Sequence, residues 1–258
     1  MQEEIFLSVI IPCYNEERNI RLGALESVSH FLRKRNLSYE VILVDDGSTD
    51  DSISLIKSFI KDHKKFSMLR KKHQGKAAAV TAGVLYAKGK IILFSDLDQA
   101  TPISQINSLL PYFEKKFDIV IGSRKDKRKG APIFRLAMAR GFVFLRNFIL
   151  NLGISDTQCG FKAFSRQAAL DIFPRLQVFS LKRRVSGSTV TAGFDVEVLY
   201  LAKLLGYKII EVPVEWHYQE TRHINPIKDS IESFLDLLRI RWNSINGTYI
   251  EKKDYEPS

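Results

Sequence analysis

Short runs of consecutive apolar residues alternate with stretches whose apolar positions recur every three or four residues. Residues 7–11, Leu-Ser-Val-Ile-Ile, form a β-rich run closed by Pro12, and Asn15 then stands as a helix cap before Ile20, Leu25, Val28, Phe31 and Leu32 at helical spacing. Residues 39–44 repeat the strand, Asp45-Asp46-Gly47-Ser48 closes it, and Ile53, Leu55, Ile56 and Phe59 carry the next helix. An Ala-rich helix over 76–87, a third strand over 91–94, a helix over 103–117 and a strand over 118–121 continue the series. An amphipathic helix is expected over about 133–152, a strand near 207–214 and a last helix over about 227–242. The polar residues after Asn246 read as a frayed tail.

Strand and helix in alternation predict an α/β fold: a mostly parallel, twisted sheet with helices on both faces and a C-terminal amphipathic helical elaboration. In such sheets ligands collect beyond the carboxyl ends of the strands. Polar clusters stand at three of those ends: Tyr14-Asn15-Glu16, Asp45-Asp46 and Asp96-Leu97-Asp98. With no repeats and no linker-like stretch, the 258 residues are expected to form one domain over 1–246, followed by a polar tail over 247–258.

Composition narrows the classes. With 45% hydrophobic and 26% charged residues the chain has enough apolar surface for a packed core, which excludes a disordered reading. Cys13 and Cys159 have no second cysteine nearby, so a Cys-x-x-Cys zinc or redox site is excluded and both are expected as thiols in a reducing compartment. The first residues lack the pattern of a secretory signal, and the most apolar stretch, 141–154, is broken by Arg146, Asn147 and Asn151. A cytoplasmic protein without a membrane span is expected.

The net charge of +10 is unevenly spread: between Arg124 and Arg146 eight basic residues face Asp126 alone. A charge run is commonly a solvated face. Here it flows into Phe134, Phe142, Phe144 and Phe148, a combination suited to anionic lipid or phosphate.

Asp96 and Asp98 sit two apart on extended chain, so their carboxylates point the same way and repel unless a cation lies between them. Such oxygen ligands suit Mg²⁺ or Mn²⁺ shared with substrate phosphates; the plain alternative is an acidic turn before Thr101-Pro102. Ser48 and Asp51 read as a capping box for the second helix, which leaves Asp45 and Asp46 unexplained and one of them to accept from a base or ribose hydroxyl. A Gly-x-Gly-x-x-Gly turn, a Walker A loop, a Gly-x-Ser-x-Gly elbow and a His-Glu-x-x-His helix are all missing. The five histidines are scattered and read mostly as surface residues.

Taken together, Ser8-Val9-Ile10-Ile11-Pro12-Cys13-Tyr14-Asn15-Glu16-Glu17, Val44 to Asp50, Asp96-Leu97-Asp98 and Gly122-Ser123-Arg124 resemble the inverting family 2 glycosyltransferases of GT-A fold. Asp156 to Lys162 and Gly193-Phe194-Asp195-Val196-Glu197 are similar to the dolichyl-phosphate β-glucosyltransferase branch and its polyprenyl-phosphate relatives. The resemblance covers about residues 7–242 and implies a nucleotide-sugar half, about 1–123, and an acceptor and membrane half, about 124–246. It implies that Pro12, Tyr14, Glu16, Val44, Asp45, Asp46, Lys76, Asp96 and Leu97 bind the nucleotide sugar. Asp96 and Asp98 would hold Mg²⁺ or Mn²⁺, and Asp98, Arg124 and Arg135 would carry catalysis, the two arginines on diphosphate or acceptor phosphate.

The implied reaction moves a sugar, glucose from UDP-glucose first of all, to a polyprenyl phosphate, dolichyl or undecaprenyl. The acceptor is already an anion, so positioning and stabilisation of the leaving diphosphate suffice without a general base. Peripheral attachment to the cytoplasmic membrane face through the basic aromatic helix follows. The other readings are a GDP-mannose-dependent enzyme, a saccharide acceptor and, from a different class, a nucleic-acid-binding protein using the basic stripe; a nucleic-acid partner is not expected. The sequence departs from its relatives at Ala100, where mannosyltransferases carry Gln, and at Arg222-His223, where glucosyl relatives carry Ser-Lys. It is longer over 174–194, read as a lid, a membrane-touching loop or an inert insertion. The transmembrane anchor of many relatives is not seen.

Overall fold

The computed structural model describes residues 4–124, 133–177, 192–217 and 226–250, without the side chains of 133–140, 192 and 226–230. Seven strands, β1 (Leu7–Cys13), β2 (Tyr39–Asp45), β3 (Phe66–Arg70), β4 (Ile91–Ser95), β5 (Ile119–Ser123), β6 (Phe161–Ser165) and β7 (Ile209–Pro213), form one sheet in the order β3-β2-β1-β4-β6-β5-β7. All run the same way except β6, which pairs antiparallel with β4 through Phe94↔Lys162 and with β5 through Ile121↔Lys162. The carboxyl ends of the other six strands and the start of β6 therefore meet at one edge.

Along each strand successive side chains point to opposite faces, and both faces are covered. On β1, Ile10 packs with Ile42, Phe94, Phe164 and Phe194 under α4 (Lys76–Tyr86), α7 (Arg166–Ile172), α8 (Ala192–Leu204) and α9 (Pro226–Ile245). Val9 and Ile11 pack the other way, with Leu43 and Leu93, under α1 (Glu17–Arg21), α2 (Ala24–Arg33), α3 (Ser52–Asp62) and α5 (Ile106–Glu114). The remaining helix, α6 (Ile133–Leu150), packs against α9. Single 3₁₀ turns, Ile103–Gln105 and Phe173–Arg175, precede α5 and follow α7.

The α/β fold with helices on both faces is the one the periodicity predicts, but several details differ. The first helix is broken: Gly23, at a left-handed φ of 86°, ends one short helix and opens α2. Asn15 does not cap it, since it takes φ 54° itself and accepts from the backbone N–H of Thr49 at 2.8 Å. The capping box is not made either: Ser48 Oγ accepts from Asn15 N across the turn, and α3 starts at Ser52, whose N–H donates to Asp50. Pro12 does not end β1, because β4 stops pairing at Ile10↔Phe94 and leaves Pro12 opposite β2 alone, where its missing N–H costs little.

Two strands escape the sequence reading. β3 is a half-buried edge strand with no apolar run, and β6 carries a lysine, Lys162, as its second residue. The tail folds back at first: Tyr249 is buried and donates to Glu197 Oε1 at 2.8 Å, while residues 251–258 lie outside those described. Both cysteines are free and buried, and burial pushes their thiols up, so neither is poised as a nucleophile.

Candidate functional site

The end of β2 is tied down by its two aspartates. Asp46 accepts from the backbone N–H groups of Gln74 (2.9 Å) and Gly75 (2.8 Å) and from His73 Nδ1 (2.8 Å). A nearly buried carboxylate thus pins the loop that leads into α4. His73 also stacks on Tyr14, ring centroids 4.0 Å apart and planes 13° from parallel. His73 is therefore not a surface residue; its link to Asp46 and Tyr14 spans three separate loops and leaves no periodic trace in the sequence. Asp45 is fully buried: Oδ1 accepts from Ser48 N, Oδ2 has no hydrogen-bond partner, and Arg70 Nε stands 3.8 Å from it. A buried acceptor in want of a donor is an expensive arrangement unless a ligand supplies one.

Asp96 and Asp98 lie where β4 ends and face a common cavity of about 110 Å³, with Ala100, Thr101, Arg124, Gln158, Gly160 and Trp216 as its other walls. Lys76, from the first turn of α4, reaches Asp96 Oδ1 at 2.5 Å. Asp98 Oδ1 accepts from Ala100 N, which orients that carboxylate. Gly160 leaves the space Asp96 needs, for a Cβ there would stand 1.9 Å from Asp96 Oδ2. Gln99 does not replace the Gln missing at position 100: its side chain donates to Asp96 O and accepts from Ile103 N, serving the turn before α5.

Arg124 follows β5 and forms a two-pronged pair with Asp156, Nε to Oδ2 and Nη2 to Oδ1 at 2.8 Å each, with its backbone N–H on Oδ2 at 2.9 Å. Burial works to raise the Asp156 carboxyl, but the Arg124 guanidinium and N–H, with Lys162 beyond, outweigh it and hold it at about 2. The guanidinium also lies 5.6 Å from the centre of the Trp216 ring. Behind this wall Lys162, wholly buried, donates to Cys159 O (2.6 Å) and Asp195 Oδ1 (2.5 Å), joining the turn that carries Gly160 to the start of α8.

Of the candidate residues, the structure brings Lys76, Asp96, Asp98 and Arg124 together around the cavity and sets Tyr14, Asp45 and Asp46 at the neighbouring strand ends. Glu16 accepts from Asn19 Nδ2 while its own N–H donates to Ser52 Oγ. Val44 and Leu97 are wholly buried in the core, so only their backbone can face a ligand. The side chain of Arg135 lies outside the described residues, as do Arg222-His223 and most of the long segment after Pro174. Arg146 corrects the basic-stripe reading: it is buried, donating to Thr157 Oγ1 and Ile154 O, and adds no charge to a surface.

Sequence reasoning did not single out Gln158, Gly160 or Trp216 as site residues, nor Asp156, Lys162 and Asp195 as partners of the site. The motif Asp156 to Lys162 is the sequence signal for Asp156, Gln158, Gly160 and Lys162, and the antiparallel β6 brings it to the cavity. Among the described residues no three His, Cys, Asp or Glu side chains form a ready-made metal cage. The pair Asp96 and Asp98 fits a hard cation that completes its shell with phosphate and water oxygens.

A mostly parallel sheet with one reversed strand and an Asp-x-Asp at the end of its central strand defines a GT-A glycosyltransferase, and the chain belongs to glycosyl transferase family 2, whose pattern matches residues 8–173. Two curated relatives bear the name dolichyl-phosphate beta-glucosyltransferase. One, from Dictyostelium discoideum, is 35% identical over 96% of this chain and 77% of its own length. The other, from Saccharomyces cerevisiae, is 34% identical over 97% and 78%. Among solved structures, glucosyl-3-phosphoglycerate synthase from Mycobacterium tuberculosis, in complex with Mn²⁺, UDP and glucosyl-3-phosphoglycerate, shares the fold at a TM-score of 0.63. It is 17% identical and the match covers 92% of this chain and 80% of that one. The family, the hexosyltransferase class and the dolichyl-phosphate glucosyltransferase likeness expected from the motifs are thus the ones found.

Proposed function

We propose that the protein transfers glucose from UDP-glucose to the phosphate of a polyprenyl lipid, with inversion and in a metal-dependent manner, at a membrane surface. The observation that carries this reading is one cavity lined by Asp96, Asp98 and Arg124, with Lys76 on Asp96 and with Tyr14, Asp45 and His73 at the neighbouring strand ends. The names of the full-length relatives supply the sugar and the acceptor.

Asp45 Oδ2, the buried oxygen without a donor, suits an N–H or hydroxyl of the nucleoside, and Tyr14 with His73 presents an aromatic surface beside it. Asp46 acts at one remove by holding the loop from which Lys76 projects. Asp96 and Asp98 would hold Mg²⁺ or Mn²⁺, which when bound offsets the charge of the diphosphate. Lys76 and Arg124 add cationic donors on either side. An oxygen of the acceptor phosphate, already ionised, forms the new bond to the anomeric carbon as the bond to the diphosphate breaks, its electron pair leaving on the diphosphate. No proton has to be removed, which suits a cavity whose carboxylates, Asp96 and Asp98, would both hold the cation rather than serve as a base.

The test is transfer from radiolabelled UDP-glucose and GDP-mannose to polyprenyl phosphate, with and without chelator, read as solvent-extractable product. Glucolipid formed only with added metal, and lost in Asp98→Ala with the circular dichroism unchanged, is the expected result. Product in the presence of chelator, or none from UDP-glucose, overturns the proposal.

A further inference from the structure

α9 has two apolar faces, and the described residues pack against only one of them. Leu237 and Ile240 point into the core with Asp236, against α6 and α8. On the far side Ile231, Leu235, Leu238, Trp242 and Ile245 are all exposed, Trp242 by 65%. Their spacing of four, three, four and three residues lines them up as one stripe on a helix of 3.6 residues per turn, roughly 21 Å long. On neighbouring α6, Phe144 and Phe148 are 73% and 78% exposed and stacked on each other. Two adjacent helices thus present large apolar side chains that none of the described residues covers.

We infer that this stripe of α9 is the face on which the protein docks to an anionic lipid bilayer, lying in the headgroup boundary rather than crossing it. The inference rests on the lipid acceptor proposed above and assigns its docking surface to α9, where the sequence pointed to the basic run before Arg146. Among the described residues no helix is long and apolar enough to span a membrane, which leaves an in-plane position for a helix of this pattern. The charges decide between a bilayer and a second copy of the chain. Exposed Arg241 borders the stripe on one side; on the other lie Arg239, exposed but paired with Asp236 at 2.9 Å, and Glu232 farther round, so Arg241 is the cation the stripe offers most directly. Cations flanking an apolar face with a tryptophan in it complement anionic headgroups. A self-pairing helix needs opposite charges at those flanks, yet in parallel register Arg241 would face Asn246 and Arg239 would face Phe234.

The test uses the full chain with vesicles of phosphatidylcholine alone and of phosphatidylcholine mixed with phosphatidylglycerol. The wild type is expected to co-sediment with the mixed vesicles, and Leu238→Glu/Trp242→Glu to lose at least tenfold in partitioning. Transfer to a short-chain, water-soluble polyprenyl phosphate should persist in that variant, so a failed docking surface is distinguishable from a failed assignment of activity. Should the double variant not fold, nitroxide-labelled lipid in the same vesicles is read by fluorescence, and quenching in the wild type but not in Trp242→Phe supports the inference. Undiminished sedimentation of a folded double variant, absence of Trp242 quenching, or a wild-type dimer in light scattering that the double variant abolishes overturns it.

Discussion

Gly160 and Asp96 are locked together by space: a single carbon added at Gly160 would stand 1.9 Å from Asp96 Oδ2 and 2.6 Å from its Cγ. The two residues are 64 positions apart; Asp96 directly follows β4 and Gly160 directly precedes its antiparallel neighbour β6, whose ladder places Phe161 opposite Ser95. The cavity and the proposed cation both depend on that carboxylate, so the glycine is part of the site although it offers no chemistry.

Gly160→Ala should therefore displace Asp96 by a fraction of an ångström or more. A shift of about 1 Å at a reacting centre costs on the order of a hundredfold in rate. We expect kcat to fall by roughly that factor, with the metal concentration for half-maximal activity raised. Steady-state kinetics across a Mn²⁺ series checks it; wild-type values for both would show that the carboxylate need not stay where it is.

The Arg124 and Asp156 pair makes stability depend on acid in a defined direction. The Asp156 carboxyl is lowered from 3.8 to about 2 in the folded protein. The unfolded chain therefore binds the proton first, and the pair's contribution is complete above pH about 4 and lost as pH falls through about 2. Its size is about 2 kcal/mol. Asp156→Asn should flatten that acid limb in urea unfolding and, by leaving a buried guanidinium without its counter-charge, cost about 3–5 kcal/mol at neutral pH. An acid limb identical to the wild type would remove Asp156 as its source.

Lys162 and Asp195 form a buried ion pair that a double-mutant cycle can isolate. Lys162→Met leaves Asp195 without its cation and should destabilise by about 3–5 kcal/mol, whereas Lys162→Met/Asp195→Leu should recover much of that loss. Chemical denaturation of the four proteins measures the coupling. Additive losses would mean that the two charges do not depend on each other.

Asp46→Asn tests whether this carboxylate works through the loop. The amide keeps one acceptor oxygen for the three donors on His73, Gln74 and Gly75, and an unmet buried donor costs about 1–3 kcal/mol. We expect a lower melting temperature together with weaker UDP binding by calorimetry, because Lys76 is carried on that loop. Weaker UDP binding at unchanged stability would instead place Asp46 directly on the nucleotide.

Much of this architecture is local and so can be read in one dimension. The buried strands β1, β2 and β4 are continuous apolar runs, the helices keep a three-to-four spacing, and acidic or polar clusters follow the strands because chains leave a parallel sheet there. Those features are enough to place Tyr14, Asp45, Asp46, Asp96 and Asp98 at a common edge, whereas Arg124 is marked only by the family resemblance. Folding in three dimensions was needed for contacts between segments far apart. β6 is hidden from periodicity by Lys162, whose buried charge is tolerated within the strand because Asp195, 33 residues on, neutralises it. His73 has a role because Asp46 and Tyr14 approach it from other loops, and Arg146 leaves the basic surface because Thr157 and Ile154 receive it inside. Hydrophobic periodicity reports what one segment buries; which charge meets which is settled by the crossing of strands.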